Sequence, residues 1–199
     1  MNARNEALWL QQHGFNPMPL LFRGKRPLLS QWKIRQTERL TWLELERLFR
    51  PLRNLAIITG QTQETPNVLV IDADSADAIA FLNAEAPATP MRCKTGNGEH
   101  RYFQLPQGLF LKNSVKVNGI AVDIRSQGAY VVCPPSVHPS GRKYEWIDGP
   151  VAAEKLPFFP PGLIREELKQ EPRIQRWEKT TFRKVQQSPK ALLLQPFIT

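Results

Sequence analysis

With 199 residues, 41% of them apolar, the chain can bury the core of one substantial domain and has room for a small appendage. No apolar run approaches the ~18 residues that cross a bilayer, and the N-terminus lacks a signal-peptide core. No membrane span is expected, and the expected setting is cytoplasmic. The net charge of +9 is unevenly spread: ten basic and four acidic side chains in residues 1–53, nine and ten in 54–164, eight and four in 165–199. Basic flanks around a near-neutral centre suit a polyanionic partner, although a generically basic surface would show the same composition. Cys93 and Cys133 have neither the number nor the spacing for a zinc site or a disulfide framework, and their strand-like flanks make buried free thiols the expected state.

The first expected element is a short amphipathic helix over residues 3–13, stopped near Gly14. Phe15 to Leu21 reads as a strand, and Pro17 and Pro19 confine it to a sheet edge. A basic turn, Gly24-Lys25-Arg26-Pro27, comes before Trp32. Thr41 and Glu44 form a capping box that opens a helix to about Phe49, closed by Pro51. Asn54 to Gly60 is a buried strand, Val68 to Asp74 a second, and Ala76 to Asn83 a helix. Met91 to Thr95 and Arg101 to Leu105 read as a hairpin turned through Gly96-Asn97-Gly98, since Asn-Gly is the strongest short hairpin signal. Ala121 to Arg125 and Gly128 to Cys133 read as a second pair, turned through Ser126-Gln127-Gly128. Lys143 to Ile147 is a last short strand. A helix is expected at 163–169, followed from Glu171 by a basic, loosely ordered tail. The hairpins argue for an α+β domain on an antiparallel or mixed sheet.

The chemistry concentrates in the centre. Val68-Leu-Val-Ile-Asp72-Ala-Asp74 ends a buried strand in two carboxylates at i, i+2, which puts both on one face roughly 6–7 Å apart along the backbone. Their repulsion calls for a cation between them, and Mg²⁺ takes one or two carboxylates together with phosphate oxygens. The plain alternative for Asp74 is a role in capping the helix that follows. On the strand after Gly96-Asn97-Gly98, His100 and Tyr102 face one way and Arg101 and Phe103 the other. Beside a glycine turn His100 suits a phosphate oxygen, or is simply structural. In Val122-Asp123-Ile124-Arg125 the apolar pair points to the core while Asp123 and Arg125 share the other face. Asp123 is then either an ion-pair partner or a third carboxylate of a two-metal phosphoryl-transfer site. Pro134-Pro135-Ser136-Val137-His138-Pro139 is a proline-locked loop that displays Ser136 and His138 rigidly. No P-loop, Rossmann fingerprint, H-E-x-x-H or nucleophile elbow occurs, which favours chemistry without a covalent nucleophile.

In this order the pieces resemble the bifunctional primase–polymerase family, the prim-pol branch of the archaeo-eukaryotic primase superfamily. The match runs from about Gly14 to Trp146. It comprises Gly24-Lys25-Arg26-Pro27 with Trp32, the strand from Asn54 to Gly60, Asp72-x-Asp74, Gly96-x-Gly98-x-His100 with Tyr102 and Phe103, Asp123-Ile-Arg125, and Pro135-Ser136-x-His138-Pro-Ser-Gly141 with Tyr144 and Trp146. The resemblance implies an RRM-like catalytic palm with an N-terminal α/β lobe, residues 1–160 forming the catalytic domain and 161–199 an appendage. It implies two Mg²⁺ or Mn²⁺ ions on Asp72, Asp74 and Asp123. It also implies that His100 contacts the nucleotide triphosphate, with Arg125, Ser136, His138 and Lys25 lining the nucleotide pocket. The implied reaction is template-directed nucleotidyl transfer on a DNA template and primer with dNTP or NTP, the basic flanks holding template phosphates. Trp32 and Tyr102 are candidate base-stacking platforms, with core packing the alternative for Trp32. The resemblance ends near residue 150, short of the helical accessory region that many members carry. Primer extension is therefore expected before de novo priming, with a separate helicase or accessory chain as a partner. Two other readings compete: a metal-dependent nuclease, and a non-catalytic binder on an RRM-like sheet, which would need exposed aromatics where this chain has carboxylates.

Overall fold

The computed structural model describes residues 2–115, 121–160 and 163. The expected helix at 163–169 and the basic tail lie outside these residues, Leu163 apart. Asn2 accepts a hydrogen bond from the Asn5 amide (2.9 Å) and so caps α1, Ala3–Gln12. Gly14, at φ 85°, ends it with a backbone turn that side chains resist. β1 (Pro17–Leu21) is an edge strand, where prolines leave no ladder donor missing, and it pairs antiparallel with β2 (Arg53–Ile58). Between them α2 (Trp42–Leu48) opens on the Thr41–Glu44 capping box, with both of its reciprocal bonds formed.

The centre folds as β3 (Asn67–Ala73), α3 (Ala76–Glu85, capped by Ser75), β4 (Arg92–Lys94), β5 (Glu99–Leu105), β6 (Val122–Arg125), β7 (Tyr130–Cys133) and β8 (Glu145–Asp148). Five of these strands make one antiparallel sheet in the order β6-β3-β5-β4-β8. Its first four strands, taken by chain position, run fourth-first-third-second, the order of an RRM-like sheet. The second sheet, β1-β2-β7, joins the N-terminal elements to a strand from the middle of the chain. The result is an α+β fold of two antiparallel sheets and three α-helices among the described residues.

One pairing differs from the expectation. β6 and β7 do not form a hairpin: β6 lies beside β3, and β7 beside β2 in the other sheet. The turn between them is held from outside. Thr59 Oγ1 donates to the Ser126 carbonyl (2.6 Å), and Asn113 accepts from the Ser126 amide (2.6 Å) while donating to the Gln127 carbonyl (2.9 Å). Gln127 lies so close to Gly60 that a Cβ there would meet its side-chain oxygen at 2.0 Å. With the turn pinned against the end of β2, the chain leaves one sheet and enters the other.

Period-two alternation assigns the strands to two cores. Val70, Tyr102, Cys93 and Met91 pack between the sheets with Leu10, Phe15, Ile57 and Cys133. Ile71, Phe103, Ile124 and Leu105 pack on the other face with Leu82 of α3 and Phe159. Cys93 and Cys133 are buried free thiols, as expected. Tyr102 is wholly buried, so it is a core residue and not a stacking platform. No described helix is long and apolar enough to cross a membrane.

Candidate active site

The register of β3 builds the site. Asp72 stands opposite His100 of β5 on one side and opposite Asp123 of β6 on the other, so all three project from one face of neighbouring strands. Asp74 follows one residue past the end of β3, its amide donating to the Ala121 carbonyl (2.9 Å). One carboxylate oxygen from each of Asp72, Asp74 and Asp123 lies within 4.8 Å of the others. Helix capping falls to Ser75, whose Oγ accepts from the Ala78 amide (3.1 Å), which leaves Asp74 out of that role.

The three carboxylates are electrostatically unequal. Burial pushes the Asp72 carboxyl up, but His100 (Nε2 to Oδ1, 3.3 Å), Arg125 and Lys25 together outweigh it and hold the group below the usual range. The Asp74 carboxyl is raised, by partial burial and by the negative charges of Asp72 and Asp123, which Lys25 and His100 offset only in part. Asp123 accepts from Arg125 Nη2 (2.6 Å), so it is an ion-pair partner, and it is also a member of the acidic cluster. Asp72 Oδ1 and His100 Nδ1 are buried without a well-formed hydrogen bond. An all-oxygen donor set and mutual repulsion at Asp74 fit a hard divalent cation such as Mg²⁺ or Mn²⁺.

Beside the cluster opens a cleft of about 310 Å³ whose lining includes Lys25, Trp32, Asp72, His100, Arg125 and Tyr130. Its outer wall comes from the basic turn and from β7. Tyr130 donates its hydroxyl proton to the Lys25 carbonyl (3.0 Å), and Trp32 meets the Tyr130 ring edge-on at 4.9 Å. Trp32 is half-buried, packed on the core as its alternative reading expected, and it also lines the cleft. Asn54 was missed as a site-building residue. It donates to the Gly24 and Val137 carbonyls (3.0 and 2.8 Å) and accepts from the Val137 amide (3.0 Å), tying the Lys25 turn to the His138 loop. The available signal was an asparagine at the head of an apolar strand, since a buried amide requires partners. Tyr130 was also missed, since it lies within the strand from Gly128 to Cys133 and was given no role of its own.

His138 is half-buried, its Nδ1 2.8 Å from Ser140 Oγ and its ring 6.1 Å from that of Tyr144. Partial burial, Lys25 and Arg142 lower its pKa against a smaller opposing pull from Asp74, so the imidazole is neutral near pH 7. The glycines of the turn are steric requirements. A Cβ at Gly96 would come within 2.7 Å of the His138 ring, and one at Gly98 within 1.7 Å of the Ala73 carbonyl oxygen. Ser136 requires a correction. It is 1% exposed, and its Oγ donates to the Leu55 carbonyl (3.1 Å) and accepts from the Leu55 amide (2.8 Å), so it fastens its loop to β2 and does not line the cleft.

Fold and site together define an α+β domain with a cation-competent acidic centre at the end of an antiparallel sheet, beside a cleft that carries basic side chains. The chain belongs to the family of bifunctional DNA primase/polymerase N-terminal domains, whose family model matches residues 7–160. That membership points to DNA primase/polymerase activity of the nucleotidyltransferase type, with DNA and nucleotides as substrates and divalent metals in use. No curated protein matches the chain significantly.

Proposed function

We propose that this chain carries out template-directed nucleotidyl transfer on DNA, with residues 1–160 as the catalytic domain. The carrying observation is the convergence of Asp72, Asp74 and Asp123 within 4.8 Å. These residues would hold two Mg²⁺ or Mn²⁺ ions. Such ions would favour the deprotonated 3′-hydroxyl and neutralise charge on the leaving group. The hydroxyl oxygen bonds to the α-phosphorus of the incoming nucleotide, the bond to the β-phosphate oxygen breaks, pyrophosphate leaves, and the hydroxyl proton passes to solvent.

The chain's own side chains do the holding. Lys25 and Arg125 supply positive charge in the cleft, and His100, fixed beside Asp72 and lining the same cleft, would contact the triphosphate. Neutral His138 adds a polar contact near the same end. Trp32 and Tyr130 form an aromatic wall for the base or sugar. Ser136 acts through the loop it fastens and touches no nucleotide. Because no covalent nucleophile is needed, positioning and electrostatics supply the acceleration. The basic N-terminal segment holds template phosphates, and a separate helicase or accessory chain would serve the cytoplasmic replication complex.

Extension of a labelled primer–template with dNTPs and Mg²⁺ or Mn²⁺ tests this reading. The wild type should lengthen the primer, and Asp72→Ala/Asp74→Ala should abolish extension while still binding template. A wild type that binds template yet leaves the primer unchanged, or that shortens it whether or not dNTPs are present, would overturn the proposal.

A further inference from the structure

The Gly96–Gly98 turn has a second side. Across it from the aspartates lies a larger cleft, about 740 Å³, between the β4–β5 turn and the β8 edge. Lys94, Arg142 and Lys143 line it, all exposed, together with Glu99 and Glu145. The two acids are not equivalent. Glu99 is buried and already held by Arg101 (2.6 Å) and Arg92 (3.8 Å), so among the described lining residues Glu145 is the acid that opposes the three bases from the surface. Ile147, 45% exposed, gives the cleft an apolar surface. The cleft and the acidic centre share a boundary: Gly98 abuts the Ala73 carbonyl, one residue before Asp74, and Arg142 donates through Nη1 to the Gly96 carbonyl on the same turn.

From this juxtaposition we propose that the cleft beside β8 seats the phosphate backbone of a single nucleic-acid strand whose reacting or templating end lies at the aspartates. The proposal rests on the nucleotidyl-transfer reading of that centre. A strand ending there must carry its next phosphates away from three carboxylates, because Asp72, Asp74 and Asp123 repel them. The short way out crosses the Gly96-Asn97-Gly98 turn, where Asn97 is exposed. Beyond it, the strand meets three cations spaced along a groove and an exposed isoleucine against which a base can lie. A compact anion would use one of these charges, whereas an extended polyanion uses them all.

Fluorescence anisotropy with a labelled single-stranded oligonucleotide, titrated at several salt concentrations, tests this directly. Lys94→Glu/Lys143→Glu should weaken binding at least tenfold. The milder Lys94→Gln/Lys143→Gln should weaken it less, and should reduce the slope of log affinity against log salt by about 1.4, or 0.7 for each single-strand phosphate that no longer meets a lysine. Calorimetric titration with dNTP and Mn²⁺ should be unchanged in both variants, which separates this cleft from the nucleotide site. Affinity and salt slope equal to wild type in both variants would overturn the assignment, as would a wild type that binds no single strand. If the variants lose DNA binding as stated and the wild type still fails to extend primers, the strand path stands and the catalytic reading fails.

Discussion

Replacing Asp74 by asparagine should make the metal-free protein more stable and its metal-loaded form less so. The carboxylates of Asp72, Asp74 and Asp123 present oxygens within 4.8 Å of one another. At that distance two unit charges repel by about 1 kcal/mol in a water-like dielectric, the appropriate choice for an exposed residue. Asp74 has two such neighbours, and Lys25 and His100 offset part of the repulsion. The net relief is therefore about 1 kcal/mol, or a rise of about 2–4 °C in Tm for a chain of this size. The sign follows from the raised carboxyl. A group whose pKa is higher folded than unfolded favours folding while protonated, and its advantage is lost as pH rises through the folded value. Wild type and Asp74→Asn should thus melt together at the acid end of the carboxylate range and diverge as pH rises toward 7. Asp72→Asn should behave oppositely, because that carboxyl is held low: its ionised form stabilises the fold at neutral pH, and the benefit disappears on acidification. Adding Mn²⁺ at a hundred times its Kd should stabilise the wild type by about 2.7 kcal/mol, and Asp74→Asn by clearly less. Thermal melts from pH 4 to 8, in EDTA and in Mn²⁺, measure all of this. Asp74→Asn melting at or below wild type in EDTA at pH 7, or gaining as much from Mn²⁺, would refute the argument.

Two further substitutions probe the scaffold. Gly98→Ala puts a methyl group 1.7 Å from the Ala73 carbonyl oxygen, and backbone on both sides leaves nothing flexible to yield. Overpacking of this kind costs about 1–3 kcal/mol; primer extension should fall sharply because the displaced strand end carries Asp74, and unchanged extension with unchanged Tm would contradict the packing. Ser136→Ala strands the buried Leu55 amide and should cost about 1–3 kcal/mol, read as a lowered Tm. Its KM for dNTP should stay at the wild-type value below the transition, and a raised KM with undisturbed Tm would return Ser136 to the nucleotide pocket.

What the sequence revealed here was local. The Thr41–Glu44 capping box, the Asn-Gly hairpin and the alternation of His100 and Tyr102 with Arg101 and Phe103 all depend on residues a few positions apart, and all stand in the structure. Asp72, Asp74 and Asp123 were also legible as candidates, but their meeting depends on the β3–β6 register, which no local pattern encodes. The same gap explains the error over β6 and β7. A turn sequence between two strands looks like a hairpin whether or not the strands share a sheet, and the bonds from Thr59 and Asn113 that decide the matter come from distant positions. Ser136 and Tyr102 failed for one reason. Composition and alternation show which way a side chain points along its own element, but not what packs over it, and here the β1-β2-β7 sheet covers Tyr102 and Leu55 binds Ser136.

The distribution of charge bears on whether this sheet merely binds nucleic acid. An RRM-like sheet that binds by stacking presents aromatics at its centre. Here the central pair of strands presents Asp72 opposite His100, with Asp123 on the next strand, while Trp32 and Tyr130 belong to the other side of the cleft. Among the described residues, Arg125 is engaged by Asp123, and Lys25 and His100 offset the repulsion at Asp74 only in part, as its raised carboxyl records. A phosphate approaching this point is repelled unless divalent cations accompany it, whereas the basic flanks attract DNA regardless. Under the proposed function, affinity and chemistry would be divided: basic residues would hold a strand, and the centre would admit a triphosphate only together with divalent ions. A pure binding module gains nothing from a repulsive centre, whereas the proposed two-metal transfer uses one.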